Sequence, residues 1–261
     1  MNIRLTVNFE KRSMLVFGNC FVGVFLIISH LQLAAQTPTE ILNKYYDTVS
    51  FGDFENWSKI RTASIELNSF YNQNSFEGTK NSSQNGLLKG FIYRIWPDSC
   101  VIESFVDSLQ VSRLYHVGKK QLFVYNNMPP VEMAGDGLYE PYFEFDPVMV
   151  KHTVQRSKSV RLMGIEKMDS VQCYNLRVVT KGLVWHFYFN TKTFLLEYWS
   201  NSQTDEENPA LTKVYNYKRV ENVLIPFSEL KKRNNSVFYS SEIVQISLNA
   251  FIDPKKFEIK E

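Results

Sequence analysis

Beyond residue 35 the chain has three histidines, His116, His152 and His186. Histidine is the side chain best suited to moving protons near neutral pH, so acid–base or metal chemistry is sought here first. Their spacing supports neither. None belongs to an HxxxH or HExxH pair, which would put two imidazoles on one helix face. His116 and His186 stand in strand-like runs among Tyr and Phe, where packing in the core or at its rim accounts for them. Gly-x-Ser-x-Gly, a P-loop and Gly-x-Gly-x-x-Gly are all missing. The acids Asp98, Asp107, Asp169 and Asp205-Glu206-Glu207 fall in turns, as solubility and turn residues rather than a paired acid and base. No catalytic residue, metal or cofactor is expected. A hydrolase would need a convergent nucleophile and base that the sequence does not display.

What the sequence offers instead is apolar surface in unusual amount. Residues 182–199 read GLVWHFYFNTKTFLLEYW, two apolar runs around the polar tetrapeptide Asn190-Thr191-Lys192-Thr193. Strand alternation sends Leu183, Trp185, Phe187 and Phe189 to one face and Val184, His186 and Tyr188 to the other. An antiparallel hairpin ordinarily has one apolar and one wet face; this one carries large groups on both. Aromatic residues make up 15% of the chain, including 20 Phe and 14 Tyr, and they favour strands.

The elements that must position these groups read as a long β meander. Thr37-Pro38-Thr39-Glu40 is a capping box with Pro at the first helical position. Ile41, Leu42, Tyr45, Tyr46 and Val49 follow it at helical spacing, one stripe to lay on a sheet. A short helix around residues 53–59 follows. Strands are expected at 60–71, 87–96, 100–108, 109–117 and 121–127, with connections too short for βαβ crossovers. Residues 128–159 break the pattern with four prolines and apolar residues between them, an insertion that must pack on something. Asp146-Pro147 can start a helix there through Val154. Two strands around Met168-Asp169-Ser170, the hairpin and the late runs 211–234 and 236–252 complete ten to twelve strands. Lys231-Lys232-Arg233 reads as a solvated loop between the last two. A single sheet of this size must curl, so one face can bury a helix while the other encloses a space.

The N-terminus is different in kind. Lys11 and Arg12 precede a run of about 22 apolar residues that ends in small ones. That is the layout of a secretory signal peptide, with cleavage expected after Ala35. The run is also long enough for an uncleaved anchor, and in either case the basic flank leaves the remainder exported. Asn19 before Cys20 rules out a lipobox there. Residues 1–35 hold three bases and one acid of the chain's 29 bases and 27 acids, leaving 26 of each. A net charge of zero argues against nucleic acid or anionic surfaces as main partners. Cys100 and Cys173 remain; they could pair in an oxidising compartment, but two buried thiols on separate strands is the reading taken here.

The order of these elements resembles a known family. A strand ending in RIWP precedes SCVIESF, and the basic turn VGKK precedes QLFVYNN. VRLMGIEKMDSVQCYNLRVV, WHFYFNTKTFLLEYW, VYNYKRVENVLIPF and IVQISLNAFIDPKKFEI make up the second half. Together they are similar to the LolA-like outer-membrane lipoprotein-sorting proteins, the periplasmic lipoprotein carriers, in their longer Bacteroidetes form. The resemblance implies a mainly β fold, an incomplete barrel of about eleven antiparallel strands with an N-terminal helix and a helical or loop lid. It also implies one such domain over residues 36–261, monomeric and periplasmic, serving outer-membrane biogenesis. Its partners would be lipid or lipoprotein acyl chains and the sorting proteins of the inner and outer membranes. Residues 128–159 and the 37–50 helix are the lid candidates. The carriers have Lys-Arg-Pro at one strand end, whose arginine holds the lid. Here Trp96 stands before Pro97, and Arg94, on the same face two residues earlier, is the latch candidate.

The resulting expectation is a non-catalytic carrier with an apolar cavity. The first half would contribute Phe91, Trp96, Phe105, Tyr115 and Phe123 to its lining, and the hairpin Trp185, Phe187 and Phe189. The alternative is an envelope interaction or stress-sensing protein of the same fold, with a filled interior and a protein partner.

Overall fold

Ile41, Leu42, Tyr45 and Val49 are all buried, and they mark the face by which helix α1 (Pro38–Ser50) lies on a sheet. Helix α2 (Glu55–Ser58) follows at once, its Trp57 buried and donating from Nε1 to the Val49 carbonyl at 3.4 Å. The structure, a computed structural model, describes residues 36–71, 86–96, 99–118, 120–126, 128–132, 147–203 and 209–258. The expected leader, the loop after Tyr71, residues 133–146 of the 128–159 insertion, Pro97-Asp98 and Asp205-Glu206-Glu207 fall outside them. Among the described residues no helix is long and apolar enough to cross a membrane.

Five strands run outward from the centre of the sheet: β1 (Thr62–Tyr71), β2 (Gly86–Ile95), β3 (Ser99–Val106), β4 (Leu109–Val117) and β5 (Lys120–Tyr125). The two-residue β6 (Val131–Glu132) is the first edge. Helix α3 (Pro147–Gln155) then precedes the opposite edge, β7 (Ser159–Met168). From there β8 (Val171–Val179), β9 (Val184–Asn190), β10 (Leu196–Ser202), β11 (Leu211–Val220), β12 (Val223–Arg233) and β13 (Ser236–Leu248) return to pair with β1. The order is β6-β5-β4-β3-β2-β1-β13-β12-β11-β10-β9-β8-β7, and the described strands pair antiparallel. The two ends do not pair, so the curved sheet is an incomplete barrel. It has thirteen described strands against the eleven or so expected; the short β6 has no alternating pattern of its own to announce it.

Turn chemistry sets the register. Asp107-Ser108 and Asn234-Asn235 both hold positive φ at two consecutive residues, the backbone of a two-residue hairpin turn matched to strand twist. At the hairpin tip, Asn190 Oδ1 accepts from the backbone N–H groups of Lys192 and Thr193 at 2.9 and 3.2 Å. Lys231–Arg233 continues β12 rather than forming a loop. The hairpin Asn234-Asn235 turns the chain after it, and Lys231 lies over the Tyr239 ring at 4.9 Å.

One core follows from this topology. Side chains of α1, α3, β1, β8, β9, β10, β11, β12 and β13 meet in a single cluster, which Ile92 and Cys100 join from β2 and β3. Strands so far apart in the sheet converge only if it is concave toward α1. We call that face inner. Cys100 lies on it and Cys173 on the outer face; both are free and buried.

Candidate ligand-binding face

Register sorts the side chains of β1–β5 into rows. On the inner face, Ile65, Ile92, Ile102, Leu114 and Phe123 stand opposite one another across five strands. One step along, the row is Ala63, Arg94, Cys100, His116 and Gln121. In the other direction it is Leu67, Gly90, Ser104, Ser112 and Tyr125. The first row is apolar throughout, the second polar on its outer strands, the third small in the middle. Gly90 allows Leu67 to lie close: a Cβ there would sit 2.8 Å from Leu67 Cδ1.

Burial decreases outward along the apolar row. Ile65 and Ile92 are buried, while Ile102, Leu114 and Phe123 are half-buried. Helix α1 packs chiefly against β12 and β7, away from this region. In the polar row Arg94 is only 4% exposed, and Gln121 and Cys100 are buried. The Arg94 guanidinium lies over the Trp96 ring at 4.5 Å from its centroid. Burial pushes the Cys100 thiol up to about 12, with Arg94 pulling the other way. Gln121 Nε2 stands 3.1 Å from His116 Nδ1. With the amide N–H donating, Nδ1 accepts and the ring proton resides on Nε2.

The eight aromatic residues expected to line a cavity divide between the two faces. Trp185, Phe187 and Phe189 share the inner face with Phe123, and Trp96 packs against the inner cluster. For the hairpin, then, the wholly apolar side is the inner one. Phe189 meets Tyr45 of α1 at 5.0 Å between ring centroids, and Trp185 meets Trp199 at 5.8 Å. Phe91, Phe105 and Tyr115 lie on the outer face and are not brought together with the others. Phe91 and Phe105 pack edge to face at 5.6 Å. Tyr115 is buried beside a charged cluster: Arg113 donates from Nε to Glu103 Oε1 at 2.8 Å and from Nη1 to Tyr115 Oη at 2.8 Å. Lys256, from the C-terminal 3-10 turn Pro254–Phe257, donates to Glu103 Oε2 at 3.1 Å. Glu103 is 3% exposed, so that turn straps the outer face of β3. Burial alone would lower Arg113's affinity for its proton; Glu103 and Tyr115 raise it above the ordinary value.

Ile92, Ile102, Leu114, Cys100, His116 and Gln121 were not among the expected lining residues. The turn at Asp107-Ser108 pairs Val106 with Leu109 and Phe105 with Gln110, but the register shifts by one residue between Ser104 and Phe105, and only that irregularity brings Cys100 opposite His116 and Ile102 opposite Leu114.

Several solved structures share this fold. A DUF1329 family protein from Desulfovibrio piger superposes with a TM-score of 0.60 at 8% identity, over 86% of this chain and 98% of that one. A LolA superfamily protein from Nitrosomonas europaea gives 0.57 at 9% identity, over 86% and 99%. The fold is LolA-like. An outer membrane lipoprotein-sorting type of domain from Vibrio parahaemolyticus shares it, with a TM-score of 0.56 at 9% identity, over 84% and 94%. No protein-family model matches the sequence and no curated protein matches it. The LolA-like likeness is therefore one of fold, as the order of elements in the sequence implied. Among the described residues no three His, Cys, Asp or Glu side chains gather in a metal-holding group.

Proposed function

We propose that this chain is an exported, periplasmic carrier that shelters acyl chains of a lipoprotein or another lipid, without catalysis. The observation that carries the reading is the apolar inner row of β1–β5, which continues the core beyond the main packing of α1 and is half-buried at Leu114 and Phe123. Burying a chain gains about 0.8 kcal/mol per CH₂, so a surface of this length and apolarity suits an acyl chain. The LolA-like fold supports the same reading, since a lipoprotein-sorting type of domain is built on it. Inner-membrane and outer-membrane sorting proteins would be the partners, and residues 1–35 the leader, removed near Ala35.

A second reading, an envelope protein that binds another protein, is favoured by β7. It is the outermost described strand on its side, ten residues long, with Met163 and Ile165 more than half exposed. Such an edge can accept an added strand.

Native mass spectrometry of the protein isolated from its own cell envelope, followed by lipid extraction, separates the two. A mass beginning at Gln36 and carrying an acylated peptide or lipid is the expected result. A bare protein mass, with no uptake of a fluorescent fatty acid, would overturn the carrier reading in favour of the second.

A further inference from the structure

The two sides of the inner face differ in the width of their apolar surface. On β8 the inner residues are Tyr174, Leu176 and Val178, and opposite them on β9 stand Phe189, Phe187 and Trp185. Each of these strands presents three large apolar side chains in succession, a span of about 13 Å along the strand. On β3–β5 register divides the face differently. Ile102, Leu114 and Phe123 stand opposite one another, one large apolar side chain from each strand. The next inner residues are Cys100, His116 and Gln121 on one side, and Ser104, Ser112 and Tyr125 on the other. The half-buried apolar surface is therefore a band one side chain wide, running across the strands. Ile92 continues it on β2. There the serine side of the band is closed by Leu67, which lies over Gly90: a Cβ on that glycine would sit 2.8 Å from Leu67 Cδ1.

Both borders of the band are polar. On one, Gln121 Nε2 lies 3.1 Å from His116 Nδ1, amide against imidazole. On the other, Ser104 and Ser112 are half-buried and directly opposite each other on β3 and β4. An acyl chain is held by apolar contact, and a chain along Ile92, Ile102, Leu114 and Phe123 finds it over the whole band. A second chain beside the first would lie one row away, about 7 Å along the strands, over hydroxyls or over the imidazole and amide. Its methylenes would gain little, and the polar groups beneath would lose their access to water. Resting on the carrier reading, we infer that the cargo is a lipid with one acyl chain, a fatty acid or a lysolipid, laid across β2–β5. The Ser104–Ser112 pair is what excludes a second chain.

The test is displacement of a fluorescent fatty acid from the delipidated protein by palmitoyl lysophosphatidylcholine and by dioctanoyl phosphatidylcholine. The two share a headgroup and carry equal numbers of acyl carbons, in one chain or in two. The lysolipid is expected to compete at least about tenfold better. Palmitate, run beside it, tells a fatty-acid source from a lysolipid one by which of the two competes better. Ser104→Val combined with Ser112→Val makes the band two rows wide. Competition by the two-chain lipid should rise about tenfold there, with that by the lysolipid little changed. Ser104→Thr with Ser112→Thr has the same shape but keeps the hydroxyls, and should show no such rise. Equal competition by the two phosphatidylcholines on the wild-type protein would overturn the one-chain assignment and leave the carrier standing. So would a two-chain lipid that gains nothing from the valines, or as much from the threonines. Failure of every ligand, the fluorescent probe included, would overturn the carrier itself. Should the valine variant not fold, the wild-type comparison decides alone.

Discussion

On β8–β10 the inner face is closed. Phe187 and Phe189 are 0% exposed, with Tyr45 of α1 against Phe189 and Trp199 against Trp185. On β3–β5 the same face of the same sheet is half-buried at Ile102, Leu114 and Phe123, and a buried arginine stands beside it on β2. Both regions are apolar strands that read alike in sequence; α1 lies over the first, and α3 joins the same core. The apolar stripe of α1 is satisfied by β12, β7 and their neighbours. The inner surface is thus closed under α1 on one side of the half-barrel and half-buried on the other.

The largest expected effect is on the closed side. Phe189→Ala removes a fully buried ring from under α1 and should cost about 3–5 kcal/mol, read as a lower urea midpoint. Acyl binding per folded molecule should hardly change. Leu114→Asp puts a charge into the half-buried row on the other side. It should weaken fatty-acid binding at least tenfold while lowering stability by only about 1 kcal/mol, given the site's partial exposure. Equal loss of stability in the two variants would erase the distinction between the sides.

The outer face sharpens the comparison. Glu103→Ala leaves Arg113 and Lys256 without their shared carboxylate and should cost about 2 kcal/mol. Binding should be retained, because Glu103 and its neighbour Tyr115 lie behind the sheet. The smallest effect concerns Asp169, whose carboxyl is held below its usual range by hydrogen bonds from Tyr198 at 2.6 Å and Lys213 at 3.2 Å. A depressed folded value means stability that is present above the unfolded carboxylate range of about pH 4 and lost as pH falls through the folded value. The group is half exposed, so Asp169→Asn should remove at most about 1 kcal/mol at neutral pH and less of it in acid. Chemical denaturation at two pH values measures it.

Much of the fold was legible because it rests on local signals. The stripe from Ile41 to Val49 specified α1, alternation specified the strands, and short polar turns made them antiparallel neighbours. Asp146-Pro147 marked the start of α3. The face of the hairpin was legible too, since Leu183, Trp185, Phe187 and Phe189 form an unbroken apolar set. Faces elsewhere were not. Phe91 and Phe105 look like lining residues, but each is one residue out of phase with the apolar inner row that runs through Ile92 and Ile102. A shift of one residue reverses a strand's faces, and aromatic character alone does not reveal the phase. Arg94 was placed on the same side as Trp96, as found; its burial in a row with Cys100, His116 and Gln121 depends on pairing across four strands, which no single strand's sequence contains.

The most direct measurement of the central claim is photo-crosslinking of a diazirine fatty acid to the purified protein, with the labelled residues located by peptide mass spectrometry. Labels are expected on Ile92, Ile102, Leu114, Phe123 and their inner-face neighbours, and none on Phe91, Phe105 or Tyr115. Labels concentrated under α1 on β8–β10, or spread over the outer face, would contradict it.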